Sequence, residues 1–578
     1  MAPASRRFFS CFHTHNDDLL FDATICILHG LKKLNTVAMS RRFNTAGPNQ
    51  PDIHYTLDPE SRLPGLRALV DQREYFVLHA PRQSGKTTLI DTLARKLTAE
   101  GRYTAICFSI ERSRPFSKDV AATNRAVLSA LKGTAESLLP EALRPPTELF
   151  DSMPDPASGL FDALNKWAQR SPRPVVVFID EIDAIEDEAL ISILHQLRDG
   201  YKLRPKDFPQ SLALIGMRDV REYRARIRPE RESLGTSSPF NVKAESLILA
   251  NFTLENVAAL YHQHTDETGQ VWSDEALRRV YELTQGQPWL VNALARQIVE
   301  REVTDRSVAI IRAHVDAAKE ALILRRDTHL DSLAERLHEP RVRRVIEPVL
   351  TGSLFGTDVY NDDLLYVADL GLVTRPPAQT RIANPIYAEV IPRALSFVMQ
   401  TSLPIEQQWY ILPEGRLDMI KLFSEFQQFF REESEFWLKD HQYLEAGPHL
   451  LLYAWLQRIV NGGGNVESRD GGTIGIQRAD LVIEWPVTSN PERRRWPILP
   501  EVAVQREALE VKLYRNKNTE SAGLKQLGAY LQKLGLPAGH LLIFDRRPGR
   551  SWEEKIFRRD QVILPPPNEH LRATVWGF

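Results

Sequence analysis

The stretch Leu78–Leu97, LHAPRQSGKTTLIDTLARKL, decides how the first half of this chain is read. It runs from an apolar strand end through a tight turn into a helical pattern. The turn spells A-x-x-x-x-G-K-T, one residue away from the pattern G-x-x-x-x-G-K-[ST], whose backbone N–H groups cradle phosphates. Gly85, Lys86 and Thr87 fill the positions whose chemistry matters. These are the close backbone approach, a cation for the β- and γ-phosphates, and a hydroxyl for Mg²⁺. Thr88 follows in the first helical turn. Ala80 stands where the pattern has its first glycine. That position needs a small residue at the strand exit, and alanine serves if its φ is negative.

A second motif makes a chance match untenable. VVVFIDEID, Val175–Asp183, is an apolar strand ending in Asp180 and Glu181. Asp180 would hold Mg²⁺ through water, and Glu181 would orient and deprotonate the attacking water. Alone, such a pair could be a solvated loop start. With the loop, the order and the strand context, a nucleotide site is the better reading.

Around these motifs, YFVLHA, YTAICFSI, PVVVFIDE, SLALIGM and ESLIL are continuous apolar runs alternating with helical patterns around Lys86–Ala99, Val120–Leu138 and Asp187–Arg198. Buried strands interleaved with helices predict a parallel sheet covered on both faces. Beyond Leu249 the pattern turns helical, with Thr253 and Ser273 as expected N-caps. Thr304–Val398 reads as helix, two-stranded wing and helix, and Thr401–Lys439 as an aromatic helical connector. Strand patterns return in NVESRDG, TIGIQRADLVIEW, EALEVKLYR and HLLIFDRR, with one helix between the last two.

At 578 residues the chain exceeds one core and should divide into several domains. A net charge of −2 excludes a globally basic nucleic-acid binder, leaving only local patches. Cys11, Cys26 and Cys107 form no C-x-x-C pair, which fits a reducing cytoplasm. No run of about 18 uncharged apolar residues predicts a membrane span. Residues 1–38 differ in composition from the rest, and Met39 opens a more natural beginning. A wrongly assigned leader is the expectation, with a targeting peptide as the alternative.

The nucleotide half resembles the AAA-like and STAND-class ATPases, notably their archaeal-type and origin-recognition branches, over roughly Phe43 to Leu395. DEID is a form common there. ALIGMRD places Arg218 where STAND relatives carry an arginine sensing the γ-phosphate, although it could be a surface arginine. GQPWLVNAL resembles a helix start whose proline, here Pro288, packs near adenine, although proline commonly opens helices anyway. The resemblance implies ATP as ligand, Mg²⁺ as its ion, and a winged helix over Thr304–Val398.

RADLVIEW puts Asp480 at a strand start, and LEVKLY puts Glu510 and Lys512 two apart on another strand, facing the same way. Two carboxylates can hold Mg²⁺ against a phosphodiester, while the lysine stabilises developing charge or positions the water. Surface salt bridging is the plainer alternative. The order strand, strand, helix, strand, with HLLIF returning parallel, fits a right-handed crossover. Gln526 and Tyr530 of QLGAY share one helical face. Glu445 opens a further amphipathic helix. The layout resembles the PD-(D/E)XK nucleases, and Q-x-x-x-Y with a preceding acidic residue resembles their RecB-like branch. The insertion PVTSNPERRRWPILP between Asp480 and Glu510 departs from that pattern and reads as a loop, with a DNA-contacting hairpin through Arg493, Arg494 and Arg495 as the alternative.

The whole chain resembles bacterial fusions of an AAA-like ATPase with such a nuclease domain. The implied fold is a P-loop α/β ATPase with helical lid and winged helix, then a restriction-endonuclease-like α/β domain. The division is 1–38 leader, 39–249 ATPase core, 250–303 lid, 304–400 winged helix, 401–439 connector and 440–578 nuclease-like. The implied function is ATP-controlled, Mg²⁺-dependent cleavage of nucleic acid, with DNA ahead of RNA, in a role such as defence against foreign elements. The competing reading is an ATP-driven switch that assembles homo-oligomers and whose C-terminal domain only binds nucleic acid or a partner.

Overall fold

The computed structural model describes residues 41–147, 158–218, 243–325, 328–350, 361–402, 410–439, 447–460, 465–468, 481–490, 493, 501–547 and 549–578. Its first sheet is five-stranded and wholly parallel, in the order β2-β3-β4-β1-β5. The strands are β1 Tyr75–His79, β2 Thr104–Ser109, β3 Val175–Asp180, β4 Ser211–Gly216 and β5 Lys243–Ile248. All five expected apolar runs are therefore strands. Their alternation explains why each reads as continuously apolar. On β1, Phe76 and Leu78 pack with Leu89, Ile90 and Leu93 of helix α1 (Lys86–Ala99). Tyr75 and Val77 face the opposite core, against α2 (Val120–Leu138), α3 (Gly159–Arg170) and α4 (Asp187–Asp199). A strand buried on both faces has no solvent side to alternate with.

The chain then becomes helical. Helices α5 (Leu254–Thr268), α6 (Asp274–Thr284) and α7 (Pro288–Gln297) are followed by α8 (Arg312–Arg325), α9 (Thr328–Arg336), α10 (Pro340–Leu350), α11 (Asp362–Asp369) and α12 (Pro385–Ser402). Thr253 closes a capping box with Asn256, and the Ser273 hydroxyl accepts the Ala276 N–H. Each cap is worth about 0.5–2 kcal/mol. These helices share one apolar core, which also takes in Phe43 and Tyr55 from the start of the described chain. The expected wing is reduced to an antiparallel bridge between Val373 and Ile382. Lys319 of α8 donates to Glu389 of α12 at 2.8 Å, and Arg393 donates to Glu320 at 2.8 Å, so the charges buried here meet opposite charges.

The second sheet is six-stranded and mixed, in the order β10-β11-β9-β8-β7-β6. Its strands are β6 Asn465–Ser468, β7 Leu481–Val487, β8 Ala503–Leu513, β9 Ala538–Phe544, β10 Phe557–Ile563 and β11 Arg572–Gly577. β8 pairs with β9 in parallel, joined by helix α15 (Thr519–Leu534), the crossover that the sequence predicts. The terminal β10–β11 hairpin went unread in the sequence; its register shifts between Arg559 and Val562, which breaks the alternation.

The segment 401–439, expected as a connector, is built into the fold for much of its length. From Tyr410 onward it belongs to the C-terminal core, where Phe423, Phe426 and Phe430 of α13 (Met419–Lys439) pack on Trp485, Phe544 and Phe578. Tyr410, Phe423, Phe426 and Phe430 are therefore buried structure, not a tether. Helix α14 (Gly447–Val460) joins both cores, with Leu450 in the helical one and Leu451 in the C-terminal one. Among the described residues, no helix is long and apolar enough to cross a membrane.

Candidate functional site

A cleft of about 550 Å³ opens at the carboxyl ends of β1, β3 and β4, where open parallel sheets place ligands. It is lined by Gly85, Lys86, Thr87 and Thr88 from the loop, Asp180 and Glu181 from β3, and Pro288 from α7. These residues, distant in sequence, meet as the two motifs predict.

The loop is built by backbone conformation. Gln83 and Gly85 sit at φ +57° and +90°, whereas Ala80 keeps a negative φ. Alanine therefore costs nothing at the first position, where it is buried at the strand exit. Lys86 Nζ donates to the carbonyls of Ala80 at 2.7 Å and Pro81 at 2.9 Å. Burial pulls its pKa down to about 8, partly offset by Asp183 and Asp180, so the ammonium persists at neutral pH. Thr87 Oγ1 donates to Asp180 Oδ2 at 2.6 Å. The Glu181 N–H donates to the other oxygen, Oδ1, at 2.8 Å. Burial raises the Asp180 pKa against these two bonds.

Glu181 stands at φ +60°, just past β3, and its carboxylate accepts the hydroxyl of Ser109 at the end of β2. Burial raises its pKa, the Ser109 bond opposes the rise, and Asp180, Glu111 and Asp183 add to it. A base with a raised pKa works above that pKa and is lost as pH falls through it. Ser109→Ala should therefore move the acid limb of ATP turnover to higher pH. A kcat–pH profile checks this; an unmoved limb, or one moved downward, would remove Ser109 from the role.

Thr87 and Asp180 fit an ion carried by a nucleotide, since Mg²⁺ keeps waters and phosphates as most of its ligands. Among the described residues, no group of three or more His, Cys, Asp or Glu is placed to hold a metal ion.

Several residues missed in the sequence reading complete the site. Asp183 Oδ1 accepts the Met217 N–H at 2.8 Å, fixing the β4 exit. A Cβ on Gly216 would lie 2.4 Å from that oxygen, so the close approach demands glycine. A strap from Asn44 to Asn49 also lines the cleft. The Asn49 N–H donates to Thr88 Oγ1 at 3.1 Å, and Trp289 Nε1 donates to the Thr45 carbonyl at 2.9 Å. The strap thus links α1 to α7, and Thr88 serves it directly. Ser109 was findable, as a polar residue ending a parallel strand; FNTAGPNQPDIHY was recognisable as an opening segment, but nothing local placed it in the cleft.

Arg218 departs from expectation. It is buried and does not line the cleft; its guanidinium lies 4.6 Å from the centroid of the Tyr366 ring on α11. It lies two residues past β4, with its cation over a ring of the helical unit. It is buried, so a surface arginine does not describe it. The turn after α11 also touches the loop, because a Cβ on Gly371 would come within 2.9 Å of Pro81.

The C-terminal candidates are partly described. Glu510 is fully buried, and Lys512 Nζ lies 2.6 Å from its Oε1. Both share the face of β8 that carries Ala508, which packs against Leu524, Leu527, Tyr530 and Leu531 of α15. Gly523 lets the helix approach, since a Cβ there would come within 2.6 Å of Leu541 Cδ1 on β9. Tyr530 is buried, and Gln526 is half-buried with Oε1 lacking a hydrogen-bond partner. Asp480 and Glu445 lie outside the described residues. Asp480 immediately precedes Leu481, which pairs with Leu509, the neighbour of Glu510.

With this geometry in hand, comparison with known families matches residues 70–223 to an AAA domain. Those residues form a P-loop ATPase domain, with the nucleotide binding and hydrolysis that this implies. No curated protein matches the chain. Among solved structures, the Walker-type ATPase of Pyrococcus abyssi is similar at 13% identity and TM-score 0.42, covering 60% of this chain and 99% of its own. The RuvB Holliday junction branch migration motor of Thermotoga maritima is similar at 16% identity and TM-score 0.31, covering 56% of this chain and 89% of its own.

Proposed function

We propose that this chain is an ATP-hydrolysing protein whose ATPase domain controls a Mg²⁺-dependent nuclease, acting on DNA, in the C-terminal unit. The observation that carries the second half is Glu510. A carboxylate with no solvent exposure, beside a lysine on the same strand face, is expensive to build unless its charge is used. It lies on the parallel β8–β9 pair beneath a helix bearing Gln526 and Tyr530. The reading supports a RecB-like PD-(D/E)XK assignment, with Asp480, Glu510 and Glu445 as metal ligands.

At the ATP site, Lys86 binds the β- and γ-phosphates, Thr87 and Asp180 hold Mg²⁺, and Glu181 takes the proton of the attacking water. At the C-terminal site, Asp480, Glu510 and Glu445 would hold Mg²⁺, which would supply Lewis-acid polarisation of the phosphodiester and a lowered water pKa. Lys512 positions the water or neutralises the developing charge, while Gln526 and Tyr530 orient the scissile strand.

Incubating supercoiled plasmid with the full chain, with and without Mg²⁺ and ATP, tests the assignment. Nicking that needs Mg²⁺ and is lost in Asp480→Asn supports it; nicking retained in that variant overturns it. The alternative, an ATP switch with a binding-only C-terminal unit, draws on the contacts of Arg218 with Tyr366 and of Pro81 with the Gly371 turn. It expects no nicking and an ATP-dependent change of oligomeric state.

A further inference from the structure

We propose that Arg62, outside both nucleotide motifs, is a positioning residue that sets the phosphate-facing peptide of the loop. The proposal rests on the ATPase reading. Arg62 ends a short turn, Pro59–Arg62, ahead of β1. Its Nη1 donates to the Ser84 carbonyl at 2.9 Å, and its Nη2 donates to the Ala250 carbonyl at 2.6 Å. The guanidinium lies 4.7 Å from the centroid of the Phe252 ring and lines the nucleotide cleft. Burial lowers its pKa only to about 10, so it remains a cation at neutral pH.

The consequence follows from peptide planarity. In a trans peptide, the C=O and N–H on either side of the bond point in opposite directions. Holding the Ser84 carbonyl toward Arg62 therefore turns the Gly85 N–H away from it, into the loop. That N–H is one of the donors the loop pattern offers to phosphate. Gly85 sits at φ +90°, where only glycine is unstrained, so an unheld peptide here would rotate at little cost. Arg62 lies against this residue: a Cβ on Gly85 would come within 2.9 Å of Nη1. The second bond reaches Ala250, where the chain leaves β5 for α5, so one side chain clamps the loop and the root of the helical unit together. Fixing the donor before the anion arrives lowers the cost of ordering it on binding.

ADP titration by calorimetry on the full-length parent, Arg62→Ala and Arg62→Lys, with steady-state ATP kinetics, tests the assignment. Arg62→Ala should weaken ADP binding and raise KM for ATP about ten- to a hundredfold, the loss expected for a hydrogen bond from a charged donor. Its kcat should change far less, because the loop binds ground and transition states alike. Arg62→Lys keeps the charge but cannot hold both carbonyls, so it should recover part of the loss. A purely structural arginine would lower the melting temperature and leave ADP affinity at the parental value. Parental affinity in folded Arg62→Ala overturns the proposal. If that variant fails to fold, parental affinity in Arg62→Lys does so instead. Absence of ADP binding by the parent would sink the ATPase reading, and this proposal with it.

Discussion

Glu181→Gln should lower ATP turnover about 10²–10⁴-fold, the usual worth of a positioned general base, while leaving nucleotide affinity nearly unchanged. The asymmetry follows from the geometry. Glu181 contributes no atom to the phosphate loop, and its neighbours are the Ser109 hydroxyl and the carboxylates of Asp180 and Asp183. Glutamine keeps the side-chain volume and an oxygen for Ser109 to donate to, so the cleft retains its shape. It cannot take a proton. Lys86→Ala should behave in the opposite way, weakening binding, because the ammonium is the cation closest to the loop carbonyls of Ala80 and Pro81. Single-turnover hydrolysis beside a fluorescent-ADP titration separates the two. Parental hydrolysis in Glu181→Gln would mean that another group activates the water.

Glu510→Gln should abolish Mg²⁺-dependent cleavage and the thermal response of the C-terminal unit to Mg²⁺, with ATP turnover preserved. The two sites belong to different sheets, so a neutral side chain on β8 leaves the β1–β3–β4 cleft untouched. Lys512 is partly exposed, and after the change its ammonium can still find water. Lys512→Ala should also stop cleavage, but with a different signature. It removes the cation 2.6 Å from a fully buried carboxylate, which should destabilise the C-terminal unit. Mg²⁺ should then stabilise Lys512→Ala more than it stabilises the parent, because the ion replaces the missing charge and binds only the folded state. Thermal melts with and without Mg²⁺, with ATPase activity as the folding control, check this. Cleavage retained in Glu510→Gln would remove the nuclease assignment and leave the switch reading ahead.

The local grammar of the chain was legible where one period or one motif sufficed. The α1 bounds, Lys86–Ala99, coincide with the helix expected after G-K-T, and the α2 bounds, Val120–Leu138, with its periodic run. Both N-caps fall at the expected residues because a cap is a contact between near neighbours. Where burial leaves no pattern in the residues, the reading failed. Strand β10, FRRDQVI, is exposed along most of its length and broken in register, so it offers neither an apolar run nor a clean alternation. The aromatic segment containing Phe423, Phe426 and Phe430 has helical spacing, but its spacing cannot say which core it fills.

From sequence alone came the chemistry: a phosphate loop with an acceptable alanine, an Asp-Glu pair at a strand end, and an E-x-K with its two charges on one strand face. These are set by residue type and short spacing, the scale at which backbone sterics and period act. Tertiary structure alone decided which distant groups meet. It seats Ser109 against Glu181, Asp183 against Met217, the strap 44–49 across Thr88 and Trp289, and Arg62 beneath Ser84. It also sets Arg218 over the Tyr366 ring. The physical reason is that a long side chain such as arginine has no fixed direction of its own. Its partner is chosen by the carbonyls, rings and carboxylates that packing brings within reach, and nothing in the neighbouring sequence records that choice.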